Sequence, residues 1–204
     1  MVDSRPAMHH QISDWFSEHG LKQPSYQEIM YQVCRNDLEG MLMVLLPENL
    51  QEERFVKSAV EEIDQSFVNY YMPKYAKEIL NVNGFLTKLK DRFKVAIVTN
   101  ASRIMLDYFL RNFKLYEIVN IAISADDVKY PKPSPEGILK AQHLLNESFS
   151  QGIYVGDTTT DILAGKAAGM KTVGVLSGIG SKEELESAGA DFILENISHL
   201  ESVL

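Results

Sequence analysis

The chain has 204 residues, 45% hydrophobic and 24% charged, with a formal net charge of −8 and an estimated pI of 5.2. That is ordinary for a soluble globular protein and allows one sizeable core, or a core with a smaller lobe. Scattered Lys and Arg in an acidic chain argue against a nucleic-acid-binding surface, and the longest apolar runs, such as Met41–Leu46 and Val95–Val98, fall far short of the ~20 residues of a membrane span.

Residues 1 to about 80 carry no strand pattern. Arg5, His9 and Asp14 interrupt any signal-peptide reading of the start. Met8, Ile12, Trp15, Phe16 and His19 recur at helical spacing, with Gly20 as a stop. Ser25 with Glu28 forms a capping box ahead of Ile29, Met30 and Val33. The lone Cys34 cannot close an internal disulfide, so it is expected as buried filler in a cytoplasmic protein. From Glu48 to Tyr71, Phe55, Ala59, Ile63 and Phe67 recur every four residues, and Pro73 is expected to break the helix. The Met and Tyr stripes read as core packing.

From about residue 82 the period changes. Short β-branched runs at Lys94–Thr99, Ile118–Ser124, Gly152–Val155, Thr172–Leu176 and Asp191–Leu194 alternate with helical patterns at Arg103–Phe113, Ser134–Leu145, Thr160–Gly169 and Ser181–Ala188. Such alternation predicts an α/β fold, a parallel sheet with helices on both faces. Ligands bind such sheets beyond the carboxyl ends of the strands. In an acidic protein, a phosphate site there must be locally positive.

Three strand ends carry candidate chemistry. Thr99 and Asn100 lead into a helix N-terminus, an arrangement that suits an anion and equally a plain helix cap by Asn100 or Ser102. Lys132 stands among Pro131, Pro133 and Pro135 in a stiff loop, either presenting an ammonium to phosphate and carboxylates or merely solvated. Asp157 and Asp161 flank a strand-to-helix turn, suiting Mg²⁺ or serving as a cap and a first-turn acid. Each site alone is ambiguous. Together they assemble a hydroxyl, a lysine and a carboxylate pair for phosphoryl transfer.

In order and spacing these segments resemble the haloacid dehalogenase superfamily: V-A-I-V-T-N-A (Val95–Ala101) its second motif, K-P-S-P (Lys132–Pro135) its third, and V-G-D-T-T-T-D-I-L-A-G-K-A-A-G-M (Val155–Met170) its fourth. Gly174–Ser181 and Gly189–Leu194 are similar to the closing segments of phosphoglycolate-phosphatase-like members. The resemblance implies a Rossmann-like core over residues 81–204 and an all-helical cap over residues 1–80. It also implies a Mg²⁺-dependent phosphatase acting on a small phosphorylated metabolite, with phosphoglycolate as the family-level guess. Thr99 and Asn100 would hold the phosphate, Lys132 would neutralise nucleophile and phosphate, Asp157 would bind Mg²⁺, and Asp161 would support the metal or orient Lys132.

The resembled first motif, D-x-D-G-T, which supplies the nucleophilic aspartate on the central strand, does not occur in the 204 residues. Met1–Ser4 resembles the L-V-D-S that usually follows it, so that motif and strand are expected upstream of Met1, leaving a gap between Lys94–Thr99 and Gly152–Val155. Three readings stand open: a phosphatase whose first motif lies upstream and which is inactive as written, a catalytically dead phosphate-binding or regulatory protein, and a response-regulator-like phosphoacceptor. The helical lobe and K-P-S-P weigh against the last. Oligomeric state is left open.

Overall fold

The computed structural model describes residues 2–33, 35–78, 81–146 and 152–204; the expectation for Cys34 lies outside the described residues. Two compact units are present, Val2–Ile79 and Leu80–Leu204. Among the described residues no helix is long and apolar enough to cross a membrane.

The first unit is mainly helical: α1 (Arg5–Glu18), α2 (Tyr26–Val33), α3 (Leu38–Leu45), α4 (Glu53–Ser66) and α5 (Met72–Tyr75). Ser25 and Glu28 make the expected reciprocal cap, with Glu28 N donating to Ser25 Oγ at 3.2 Å and Ser25 N to Glu28 Oε2 at 2.7 Å. Asp37 starts α3 by accepting from Gly40 N at 2.8 Å. The apolar faces meet in one core containing Ile12, Trp15 and Phe16 of α1, Ile29 of α2, Leu42 of α3 and Ile63 of α4. Burial of these faces, rather than propensity, is what holds helices this short.

Two expectations for this unit are corrected. A two-residue strand, β1 (Val2–Asp3), pairs antiparallel with β2 (Lys77–Glu78) in a stretch read as strand-free. So short a ladder has no alternation to show in sequence. The helix also does not break at Pro73. It passes through a π-helical turn, Phe67–Tyr71, into α5. Pro73 follows closely on the π-helical turn, and the helix ends two residues after it, at Tyr75.

The second unit alternates α6 (Val82–Lys90), β3 (Ala96–Val98), α7 (Arg103–Asn112), β4 (Ile121–Ile123), α8 (Glu136–Leu145), β5 (Ile153–Gly156), α9 (Thr159–Ala167), β6 (Lys171–Val175), α10 (Lys182–Ser187) and β7 (Phe192–Leu194). All its ladders are parallel: β3 with β4, β5 with β6, and β6 with β7. Among the described residues no ladder joins β3 to β5. One apolar cluster gathers Leu86 and Leu89 of α6, Leu106 and Leu110 of α7, and Val173 of β6; another joins Ile138 of α8 and Ala164 of α9 to Val98 and Tyr154. Helices therefore cover both sides of the strands, as the continuous apolar runs require.

Backbone parity along β3 matters for the site. Thr99 N donates to Ile123 O at 2.9 Å, and Asn120 N donates to Val95 O at 2.8 Å. Odd-numbered residues of this strand thus turn their backbone groups to β4. Val98 turns its own to the opposite edge.

Between β6 and β7 a polar clamp replaces apolar packing. Thr172 is fully buried, and its N and Oγ1 donate to Asp191 Oδ2 at 2.8 and 2.9 Å, while Lys166 Nζ meets Asp191 Oδ1 at 2.7 Å. Hydrogen bonds from Lys166 and the Thr172 amide hold the Asp191 carboxyl at about 2. Asp191→Ala leaves two buried donors unpaired and should cost about 1–3 kcal/mol in urea unfolding at pH 7. Because the folded-state value is depressed, the contribution is present above the ordinary aspartate value, near 3.8, and lost as pH falls toward about 2. The variant and the parent should accordingly converge in acid, and a deficit that stays constant over that range would refute the clamp.

Candidate active site

The carboxyl ends of β3 and β5 and the loop holding Lys132 supply the expected site residues. Asn100 grips the Lys132 backbone at two points: its Oδ1 accepts from Lys132 N, and its Nδ2 donates to Lys132 O, both at 2.9 Å. With both ends of its amide engaged, Asn100 orients Lys132 and is not the cap of α7. Ser102 is, accepting from Met105 N at 3.4 Å. Thr99 Oγ1 accepts from Ala101 N at 3.1 Å, which leaves the hydroxyl proton for another acceptor.

Lys132 is not a solvated surface lysine. Its side chain is 12% exposed, and Nζ lies 2.6 Å from Asp161 Oδ1 and 3.1 Å from Val98 O. Val98 O is the carbonyl turned to the edge of β3 away from β4, and the Tyr154 hydroxyl donates to it as well, at 3.3 Å.

Asp161 is the centre of this group. On Oδ1 it accepts from Lys132 Nζ and, at 3.5 Å, from the Tyr154 hydroxyl. Its Oδ2 accepts from Asp157 N at 3.2 Å, Thr158 N at 3.1 Å and Thr158 Oγ1 at 2.7 Å, closing a capping box at the start of α9. Burial works to raise its pKa, but the Lys132 ammonium and these donors more than offset it, and the carboxyl sits below the ordinary range. Burial likewise works to discharge Lys132, and Asp161 reverses that, lifting the amine above the usual lysine value. Both groups stay charged across neutral pH. Burial first, and then Asp161 and against it Lys132, leave Tyr154 pushed up to about 12, a neutral donor.

Asp157 has a different environment. Its Oδ2 accepts from Ile179 N at 3.0 Å, and its carbonyl from Gly180 N at 2.8 Å. Gly178 lies so close to the carboxylate that a β-carbon there would overlap it. Burial, and next the charge of Asp161, raise its pKa. Lys132 is committed to Asp161, so Asp157 is the carboxylate in need of a counter-charge.

That difference decides what a metal could use. Asp161 spends both oxygens on five donors and has no open position, whereas Asp157 is a hard anionic ligand short of positive charge. The donor set fits Mg²⁺ bound through one protein carboxylate, with its other positions filled from outside the protein. Among the described residues no group of three or more His, Cys, Asp or Glu could hold a metal ion. Tyr154, Thr158 and the Gly178–Gly180 turn were not singled out from sequence as parts of the site. For the turn a signal existed, since Gly-Ile-Gly follows a predicted strand.

Residues 1–175 match the family profile of the haloacid dehalogenase-like hydrolases. Pyrophosphatase PpaX of Anoxybacillus flavithermus is 36% identical over 151 residues, covering 71% of this chain and 70% of that protein. A solved structure from Bacteroides fragilis, provisionally named a haloacid dehalogenase-like hydrolase, superposes with a TM-score of 0.85 at 25% identity, covering 98% of this chain and 94% of the other. A predicted phosphoglycolate phosphatase from Haemophilus somnus has the same fold, with a TM-score of 0.82 at 19% identity, covering 100% and 92%.

Lys132→Met removes the partner of a buried carboxylate and should destabilise the protein by about 3–5 kcal/mol at pH 7. In that variant the unpaired Asp161 has a raised pKa, so protonation favours its folded state and the deficit shrinks as pH falls. Chemical denaturation at pH 7 and pH 5 should show the smaller gap at pH 5. Equal gaps would mean that Asp161 is not buried against Lys132.

Proposed function

The chain belongs to the haloacid dehalogenase-like hydrolase family, and on that premise we propose that its site binds a small phosphorylated metabolite for Mg²⁺-dependent phosphoester hydrolysis. The observation that carries the reading is the placement of Lys132. A buried ammonium is fixed by Asn100 through its backbone and by Asp161 through its tip, and it donates to the carbonyl of Val98, the residue before Thr99, in a chain of net charge −8. So much organisation around one cation serves an anionic ligand.

In this reading Thr99 donates its hydroxyl proton to a phosphate oxygen, and Asn100 contributes its backbone amide while its side chain positions Lys132. Lys132 balances phosphate charge, and Asp161 keeps the ammonium charged and aimed. Asp157 would hold Mg²⁺, which supplies further neutralisation of phosphate charge when bound. Residues 81–204 form the catalytic core, residues 1–80 serve as the cap that selects substrate, and the protein works in the cytoplasm. The names of the relatives point to pyrophosphate or phosphoglycolate as first substrates to try.

Hydrolysis through an aspartyl intermediate needs a nucleophilic carboxylate, and the 204 residues contain no D-x-D pair. Asp157 is reserved for metal and Asp161 for Lys132. We therefore propose that the 204-residue chain binds phosphate without turning phosphoesters over. A catalytically silent phosphate-binding protein is the alternative, favoured by the same missing pair.

Calorimetric titration with inorganic phosphate should show binding that Lys132→Ala weakens by tenfold or more, while Asp157→Asn removes only the enhancement given by Mg²⁺. Absence of phosphate binding at millimolar concentration would sink the proposal. With 4-nitrophenyl phosphate, pyrophosphate or phosphoglycolate and Mg²⁺, the chain should release no phosphate above buffer. Turnover abolished by Asp157→Asn would instead place the nucleophile within these residues. A chain extended by D-x-D-G-T that gains Mg²⁺-dependent turnover would separate the phosphatase from the silent binder.

A further inference from the structure

Tyr154 has no part in the phosphate chemistry set out for Thr99, Lys132 and Asp157, yet its hydroxyl stands among them. The ring rises from β5 and is seated on α9 where Gly165 has no side chain: a β-carbon there would come within 3.1 Å of Tyr154 Cβ and 3.2 Å of its Cδ1. It also packs with Val98, Ile138 and Ala164. The hydroxyl is thereby held between two acceptors, Val98 O at 3.3 Å and Asp161 Oδ1 at 3.5 Å. These are the same two oxygens that take Lys132 Nζ, at 3.1 and 2.6 Å.

The distances rank the two donors. Ordinary O–H···O hydrogen bonds cluster at about 2.7–2.8 Å. Both phenol contacts are much longer, and one hydroxyl proton must serve both. Lys132 is thus the main donor to each acceptor in the free protein, and the phenol stands by as a second. With its pKa pushed up to about 12, chiefly by burial, the phenol keeps its proton.

An anion that draws the ammonium toward itself loosens both contacts of Lys132. Asp161 has donors to spare, since Asp157 N, Thr158 N and Thr158 Oγ1 stay on its other oxygen. Val98 O does not: among the described residues its side-chain donors are Lys132 and Tyr154. A carbonyl left without a donor away from water costs its full desolvation. A hydroxyl already beside it has only to turn its proton and close a short distance.

We propose that Tyr154 is a positioning residue for the anion site: when Lys132 turns to a phosphate oxygen, the phenol takes over as donor to Val98 O, so the ammonium is released to the ligand without orphaning the carbonyl. The inference rests on the reading of Lys132 as the cation that meets phosphate.

Tyr154→Phe keeps the ring and removes the donor. Calorimetric titration of the full chain with inorganic phosphate should show affinity about tenfold weaker in this variant, because the acceptor is orphaned in the bound state alone. Its unfolding constant in urea should rise by less than about threefold, since Lys132 still serves both acceptors in the free protein. A phenol that merely completes the core would lower stability and leave affinity where it was. The stand-in role is also measurable without phosphate. In Lys132→Met the phenol is the remaining side-chain donor to Val98 O, and adding Tyr154→Phe there should raise the unfolding constant about tenfold more than it does in the parent. A parent that binds no phosphate while this coupling holds would sink the reading of the site and confine Tyr154 to the role of second donor. Equal phosphate affinity of parent and Tyr154→Phe, or additive effects of the two substitutions, would overturn the proposal. So would a tenfold or larger rise in the unfolding constant of Tyr154→Phe alone, whether or not the Lys132 variant folds.

Discussion

The ion pair between Lys132 and Asp161 is the interaction on which the rest of the α/β unit's rim depends. Two charges this deeply buried lose much hydration, and only good geometry with further hydrogen bonds recovers the loss. The protein supplies both. Asp161 gathers donors from Tyr154, Asp157 and Thr158 besides Lys132. Lys132 is held from behind by the amide of Asn100. The pair thereby ties the end of β3, the proline-rich loop and the start of α9 into one object. A shift of any of the three would misplace the other two.

This arrangement separates two aspartates that look alike in sequence. Asp157 and Asp161 stand at the two ends of one short turn, yet their environments drive their proton affinities apart. One is saturated by donors and paired with an ammonium. The other is crowded by a like charge and accepts from a main-chain amide. Two carboxylates given opposite electrostatic surroundings are available for different work: Asp161 is bound into the scaffold, and Asp157 is left without a counter-charge.

Much of this was readable from the sequence because its signals are local. Strand–helix alternation after residue 82, the turn at Ser25–Glu28 and the carboxylates after β5 each declare themselves within a few residues. α6 did not, and it is absent from the helical patterns read there, although Asn81 caps it by accepting from Gly84 N at 2.8 Å. Tyr154 was equally hidden. Its role lies in a contact with Val98, 56 residues away, and a tyrosine in an apolar strand looks like filler until that contact forms. For Asn100 the residue was identifiable and its partner was not: a side chain that could have met a ligand instead holds the loop of Lys132, 32 residues on.

The position of the Val98 carbonyl has a consequence for self-association. Among the described residues β3 has a strand on one side only, and an exposed strand edge is a template on which another molecule's strand can add. Here the carbonyl facing that edge already accepts from an ammonium and a phenol. An incoming foreign strand would have to take that acceptor from Lys132 and set its own backbone beside a buried charge. The same side chains that shape the rim thus make this edge a poor seed for intermolecular β-pairing.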